Sequence, residues 1–202
     1  MKPETKALIE QIKIFELWRK SSQQYALEQK TDYPHWLDFS KAFANLLCDI
    51  KKSDRTSDDE QALRVVCRLS EAERVELLIH PYPDLGERMF MLVQARSCKA
   101  IKTEVCLCFF ENDPNEAIRD EALIGLASAK WPYAEGHALK LWKSQKTVNR
   151  MVALDCLNAL NSPLLSEYLE KAAKSRDGNV RRSALAISSI RNIDKMNWPL
   201  NT

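Results

Sequence analysis

The stretch "DPNEAIRDEALIGL", residues 113–126, decides how the rest of the chain is interpreted. It opens with Asp and Pro, residues typical of a helix start, and continues with apolar residues at helical spacing. Its central pattern Arg-x-x-Ala-Leu returns at 150 and at 181, so the pattern recurs at a shift of 31 residues. Self-similarity with a period of about 20 to 50 residues is typical of stacked helical repeats.

Aligning the chain with itself at this shift produces three columns of four residues each. The columns are Arg88, Arg119, Arg150 and Arg181; Met91, Ala122, Ala153 and Ala184; and Leu92, Leu123, Leu154 and Leu185. A second segment obeys the same shift, because "PYAEGHALKLWKS" (132–144) aligns with "PLLSEYLEKAAKS" (163–175). The predicted units are 83–113, 114–144, 145–175 and a last, partial one from 176. Each is a pair of short helices that buries its apolar side by stacking on the next unit.

Upstream of residue 83 the chain no longer aligns with itself at a shift of 31 residues. Helices are predicted near 5–29, 36–52, 58–69 and 71–80, with possible capping boxes at Ser57/Glu60 and Ser70/Glu73. We interpret 1–82 as atypical N-terminal helices of the same solenoid, so that 1–202 is a single domain. The polar stretch 51–60 is predicted to be an internal loop.

Composition agrees with an all-α, soluble protein. Only four of the 202 residues are Gly, 45% are hydrophobic and 29% are charged, a balance that favours helices over turn-rich sheets. No apolar run approaches the length of a membrane-spanning helix, and the N-terminus has no signal-peptide core. The six cysteines lie mostly among apolar residues, which is typical of free thiols in a reducing compartment, so we expect a cytoplasmic protein.

Charge is distributed unevenly along the chain. Residues 54–121 contain 9 basic and 15 acidic residues (−6), whereas residues 130–202 contain 12 basic and 6 acidic residues (+6). Such an asymmetry can orient a charged partner during encounter. A dedicated binder of duplex DNA is usually more basic overall than this chain, whose net charge is +2.

The stretches "DPNEAIRDEALIGL" and "RDGNVRRSALAISSI" resemble the HEAT repeat family. The unit of that family is a helix, a turn carrying Asp and often Pro, and a second helix that opens with Val-Arg-x-x-Ala. The resemblance covers roughly 83–191, although the copy at 144–154 departs from it because Ser144 replaces the turn Asp and Asn149 replaces the Val. It implies an all-α α-solenoid, a right-handed superhelix of antiparallel helix pairs, and says little about function.

The Arg column allows two interpretations. Four stacked guanidinium groups could bind phosphate or an acidic partner. Alternatively, each is tied to a turn carbonyl or to an Asp such as Asp113 or Asp177, as the family resemblance also implies. We favour the second, which makes the column part of the architecture.

Positions that face away from the core on each second helix are more informative about function. The columns there hold Met89, Asp120, Met151 and Arg182; Phe90, Glu121, Val152 and Ser183; and Val93, Ile124, Asp155 and Ala186. In HEAT-like stacks the second helices line the concave surface, where apolar side chains are unexpected unless they bind a partner or are covered by other parts of the chain. The predicted partner-binding residues are Phe90, Arg150, Met151, Val152, Asp155 and Arg182.

Other chemistry has weaker support in the sequence. Trp18, Trp36, Trp131, Trp142 and Trp198 invite a base-stacking hypothesis. Trp142 among lysines, with Asp155 as a carboxylate, faintly resembles the HEAT-like alkylpurine DNA glycosylases, although Trp142 also fits a residue at the core boundary. Cys106 and Cys108 have the wrong spacing for a zinc knuckle, and the three His are isolated from one another, so no metal site, cofactor or catalytic residue is predicted.

The leading hypothesis is therefore a non-enzymatic binding module for another protein, such as a scaffold or adaptor, an inhibitor or a toxin-neutralising immunity protein. The rival hypothesis is a nucleic-acid-binding or glycosylase-type repair protein that uses the basic C-terminal half. We expect no membrane partner.

Overall fold

The computed structural model describes residues 1–25, 33–50 and 56–191, and within them the chain is helical with no strand. The prediction of an all-α fold is confirmed. In chain order the helices are α1 (Pro3–Tyr25), α2 (Trp36–Ile50), α3 (Ser57–Leu63) followed by a 3₁₀ helix (Arg64–Arg68), α4 (Glu71–Leu78), α5 (Leu85–Arg96), α6 (Lys102–Asn112), α7 (Glu116–Ser128), α8 (Ala134–Trp142), α9 (Thr147–Leu160), α10 (Leu165–Ala173) and α11 (Gly178–Ile190).

These helices belong to two compact units, Met1–Ala122 and Leu123–Thr202, with the division inside α7. Two helices lie within each of the ranges 83–113, 114–144 and 145–175, and α11 follows residue 176. The single-domain interpretation stays a prediction. No helix in the described ranges is long and apolar enough to cross a membrane.

The first unit has an aromatic core that the repeat pattern does not predict. The ring of Phe15 on α1 lies 5.2 to 5.9 Å, centroid to centroid, from the rings of Trp18, Tyr33, Trp36 and Phe39. Aromatic rings bury more area than aliphatic side chains, and tilted or edge-on pairs add a specific attraction. These contacts join α1 to α2. Trp36 belongs to the core of this unit, and Trp18 is half-buried beside it.

The N-terminal helices follow the predicted ranges with two differences. The range 58–69 divides into α3 and a 3₁₀ helix, and the predicted loop 51–60 is wrong at 57–60, because α3 already begins at Ser57. Residues 26–29 and 51–55 lie outside the described residues. The capping box at Ser70 is confirmed: its Oγ accepts the N–H of Glu73 at 3.3 Å, and the Glu73 carboxylate accepts the N–H of Ser70 at 2.7 Å.

The capping box predicted at Ser57 and Glu60 is wrong by one residue. Thr56 is the N-cap of α3, with its Oγ1 accepting the N–H of Asp59, while the Asp59 carboxylate accepts the N–H of Thr56 at 2.9 Å. The helix begins one residue earlier than predicted because Thr56 and Asp59 form the reciprocal capping pair.

Asp59 is the centre of a buried polar network in the first unit. Its side chain is fully buried, accepts the hydroxyl of Thr5 on α1 at 2.5 Å, and lies 3.3 Å from the Nζ of Lys2. Lys2 is also 3.0 Å from the carboxylate of Asp49 on α2. Burial alone would raise the pKa of Asp59, but the hydrogen bonds from Thr5 and Thr56 and the bond from Lys2 lower that pKa to about 2.

In the second unit α8 contacts α9, α10 contacts α11, and α9 contacts both α10 and α11. Thr147, the first residue of α9, donates a hydrogen bond to Asp177, the N-cap of α11. Arg191, directly after α11, donates to the Oδ1 of Asn158 and of Asn161 at the end of α9, both at 2.5 Å. Because the first turns of the two helices contact each other and their last turns do so as well, α9 and α11 run parallel.

The Asp59 network generates a prediction about pH. A folded-state pKa below the unfolded value stabilises the protein at pH values above the unfolded pKa, about 4, and this stabilisation is lost as the pH falls toward about 2. Asp59→Asn should cost about 2 kcal/mol of unfolding free energy at neutral pH, and the difference from wild type should narrow between pH 4 and pH 2. Urea denaturation at several pH values measures it. Asp58→Asn, an exposed neighbour in the same helical turn, is the control; an equal loss in both variants would contradict the assignment.

Candidate functional site

The four arginines of the repeated column make the same hydrogen bond. The Nη1 of Arg88, Arg119 and Arg181 and the Nε of Arg150 each donate to the main-chain carbonyl six residues earlier, at 2.7 to 2.9 Å. The acceptors are Tyr82, Asp113, Ser144 and Ser175. The interpretation that each guanidinium is tied to a turn carbonyl is confirmed, and we call this contact the Arg–turn bond.

Three of the four turns that supply these carbonyls share a second feature. A side-chain oxygen of Asp113, Ser144 and Ser175 accepts the N–H of the residue two positions later, at 2.8, 3.1 and 3.2 Å respectively. Ser144 therefore performs the role of the Asp that it replaces, because a hydroxyl oxygen can accept the same bond. The copy at 144–154, which departs from the sequence pattern, therefore has the same hydrogen bond in its turn.

Arg88 differs from the other three arginines because it is also part of a buried ion pair. Its Nε donates to the Oδ2 of Asp113 at 2.8 Å, and the two side chains are 9% and 0% exposed. Arg181, in contrast, lies at the surface and its bond to Ser175 is exposed. The same column thus contains one internal charge pair and one surface contact.

Phe90, the predicted binding residue in the first unit, is on the open side of α5. It is 52% exposed, and Val93, about one helical turn further on, is 39% exposed. The buried stripe of this helix consists of Arg88, Met91, Leu92 and Ala95 and does not include either residue. Phe90 therefore offers a large apolar surface to solvent.

The other five predicted residues lie in the second unit, four of them on α9. Met151 and Asp155 are half-buried, Arg150 is half-buried and makes the Arg–turn bond, and Val152 is 8% exposed. Arg182 on α11 is exposed and donates to the Oδ1 of Asn179 at 2.6 Å. Val152 is thus a core residue of α9, and the open positions in this unit are Met151, Asp155 and Arg182.

Asp155 has an unusual electrostatic environment. Its carboxylate makes no hydrogen bond or ion pair with any residue of the described ranges, and burial raises its pKa. In contrast, Glu135 accepts the hydroxyl of Ser162 at 2.5 Å and Glu167 accepts Lys171 at 2.5 Å. The sequence placed Asp155 on this face, but its isolation depends on tertiary packing.

Trp131 and Trp142 belong to two aromatic clusters in the second unit. The Trp131 ring stacks on His137 with centroids 5.5 Å apart and meets Tyr133 edge-on at 5.2 Å. Burial, and the charge of Lys140, lower the pKa of His137. Trp142 on α8 meets Tyr168 on α10 edge-on at 5.3 Å, while Asp155 is on α9. Trp198 lies outside the described residues.

The cysteines are thiols, and four of them are buried. Burial raises the pKa of Cys106 and Cys108 to about 12, so their thiols stay protonated and behave as apolar groups. No group of three or more His, Cys, Asp or Glu residues suited to a metal ion occurs in the part of the chain that the structure describes.

Sequence reasoning did not single out a surface pocket in the first unit. It has a volume of about 480 Å³ and is lined by Gln61, Arg64, Cys67, Arg68, Ala100 and Glu104. Burial and the neighbouring Glu104 raise the pKa of Cys67 to about 11, which keeps this thiol protonated at neutral pH. The lining residues come from 61–68 and from 100–104, so the pocket depends on tertiary packing that the sequence pattern does not show.

Comparisons with models of known protein families, with curated proteins and with solved structures found no match to this chain.

The two environments within the Arg column generate a prediction. Arg88→Ala should lower the free energy of unfolding by about 3 kcal/mol, because it leaves the carboxylate of Asp113 buried without its cation. Arg181→Ala, the matched control in the same column, should cost about 1 kcal/mol or less because the bond it removes is exposed. Urea denaturation of both variants measures the difference. Equal losses would show that Asp113 does not depend on Arg88.

Proposed function

We propose that the protein is a helical-repeat protein of the HEAT type and that it acts as a non-enzymatic binding module for another protein. The repeat of about 31 residues is supported by the four Arg–turn bonds. Lys130 and Asn161, which follow α7 and α9, both have a left-handed backbone conformation. They add support because they are separated by the same 31 residues. The right-handed α-solenoid remains part of this proposal.

The observation that carries the binding function is the exposure of Phe90. Exposed aromatic side chains of this size are enriched at the centres of protein interfaces, where their burial supplies much of the binding energy. Phe90 and Val93 lie on the same face of α5, and their exposure is not required by the packing of that helix. In our proposal a partner covers them.

In the second unit the proposed surface consists of Met151, Asp155 and Arg182. It combines an apolar side chain with charges of both signs, which fits a protein partner better than a uniformly charged ligand. An adaptor, an inhibitor or an immunity-type protein fits this description. The free cysteines favour a cytoplasmic location.

Affinity capture tests the proposal. The tagged full chain is incubated with cytoplasmic extract of the source organism, and the captured proteins are identified by mass spectrometry. Phe90→Ser and Arg182→Glu should each reduce capture of a specific partner about tenfold or more, because central interface residues carry most of the affinity. Tyr133→Ser, at an exposed aromatic residue (66%) on the turn before α8, is the matched control. Capture that is unaffected by both surface variants would refute the site.

A second candidate function is nucleic-acid binding by the basic C-terminal half. The observation that favours it is the aromatic group of Trp131, Tyr133 and His137, which lies in the same unit as several exposed lysines. Aromatic faces next to cationic side chains can stack on unpaired bases. A glycosylase-type activity would additionally require Asp155 to reach a flipped base.

Salt dependence discriminates the two candidates. If nucleic acid is the ligand, fluorescence anisotropy with single-stranded and duplex DNA should detect binding that weakens steeply as salt increases, because bound counterions are released. Tyr133→Ser should then weaken it, whereas Phe90→Ser should not. Our proposal expects no binding at low salt, and strong Tyr133-dependent binding would replace it with the second candidate.

A further inference from the structure

The carboxylate of Asp155 makes the free energy of folding less favourable. A half-buried carboxylate loses much of its hydration, and the loss is compensated only when a cation or several hydrogen-bond donors replace water. Asp155 has neither within the described residues, and burial is the sole cause of its raised pKa. The free energy of folding is therefore less favourable with this charge than without it.

The architecture does not require a charge at this position. The 31-residue alignment places Asp155 in a column with Val93, Ile124 and Ala186, all of them apolar. Three of the four copies therefore form the corresponding helix with an uncharged side chain there. A function outside the folding of the chain is the remaining reason for a carboxylate.

A second polar group without a partner lies on the adjacent helix. The hydroxyl of Ser188 on α11 is buried and has no hydrogen bond within the described ranges. Thr147 pairs with Asp177 across 30 residues and Arg191 pairs with Asn158 across 33, so the parallel register sets Asp155 opposite residues 185–188. The half-buried carboxylate of Asp155 and the buried hydroxyl of Ser188 thus occur at one level of the α9–α11 pair.

We propose that Asp155 is the anchor for a cationic side chain, Lys or Arg, of the protein partner that binds the second unit. This inference rests on the proposed function and names the partner's chemistry. The α9 neighbours of Asp155 at one-turn spacing include Met151 and Ala159, which can pack against the methylene stem of a Lys or Arg. A phosphate of a nucleic acid carries the same charge as Asp155 and would not bind this carboxylate.

The flanking charges restrict the partner further. Arg182 is exposed on α11, and Arg150 lies five residues before Asp155 on α9. Both would repel additional cations of the partner and attract carboxylates. The partner segment therefore carries one basic residue within apolar or acidic surroundings, rather than a basic run.

The first experiment measures the free protein and does not require the partner. Asp155→Asn in the full chain removes the charge while keeping similar shape and similar helix propensity. It should raise Tm by about 2 to 4 °C, whereas Glu170→Gln, at an exposed acidic residue on α10, should leave Tm unchanged. A fall in Tm of the Asp155→Asn variant would show that the carboxylate has a stabilising internal partner and would overturn the inference.

The second experiment measures recognition. A random-peptide display library is selected against the wild-type chain and, in parallel, against Asp155→Asn. Wild-type selection should yield peptides with one fixed Lys or Arg, and their affinity should fall about tenfold or more for Asp155→Asn but stay unchanged for Glu170→Gln. Replacing that Lys or Arg by Met should weaken binding to the wild type and have little further effect on Asp155→Asn.

The outcomes separate the two proposals. Peptides that depend on Phe90 or Arg182 but are indifferent to Asp155→Asn would overturn the role of Asp155 and leave the binding module in place. Enrichment that requires neither the basic residue nor any of these three side chains would overturn both.

Discussion

The Arg–turn bond is the interaction that α5, α7, α9 and α11 share, and their attachment to the preceding turns depends on it. A carbonyl in the turn between two helices lies outside the hydrogen bonds of either helix, and a long guanidinium on the following helix can reach back to it. Because the acceptor always lies six residues before the Arg, each bond joins the first turns of a helix to the turn that precedes that helix. The angle between consecutive helices is thereby restrained without any requirement on the residues that face solvent.

One turn combines this bond with two others. The carbonyl of Asp113 accepts Arg119, its Oδ1 accepts the N–H of Asn115, and its Oδ2 accepts the buried Arg88. In the second unit Asp177 accepts Thr147 through one carboxylate oxygen and the N–H of Asn179 through the other. The turns therefore satisfy the same helix ends with different side chains, which explains how the repeat pattern weakens in sequence while the local geometry is kept.

The sequence contained enough information to predict the helices, the Arg column and the favoured reason for that column, because these depend on spacing along one chain. It could not distinguish Val152 from Phe90, which share a column, since burial depends on what neighbouring helices place against each residue. The cap of α3 shifted by one residue for a similar reason: Asp59 is held by Thr5, 54 residues away. The repeat pattern also did not predict the aromatic core around Phe15, because this core lies upstream of residue 83, where the 31-residue pattern is absent.

Comparison of the copies within the chain separates architecture from function more sharply than exposure does. A residue type that returns in every copy and makes the same bond, as Arg does at 88, 119, 150 and 181, is explained by the fold. A residue that differs from the rest of its column and makes folding less favourable is not explained by the fold. The column of Phe90 has no common residue type, since it holds Phe, Glu, Val and Ser. Phe90 stands out only by its exposed apolar area, which many surfaces tolerate. Asp155 departs from an apolar column with a charge that packing does not compensate, so its presence is the stronger indication of an external ligand, and of a ligand that carries the opposite charge.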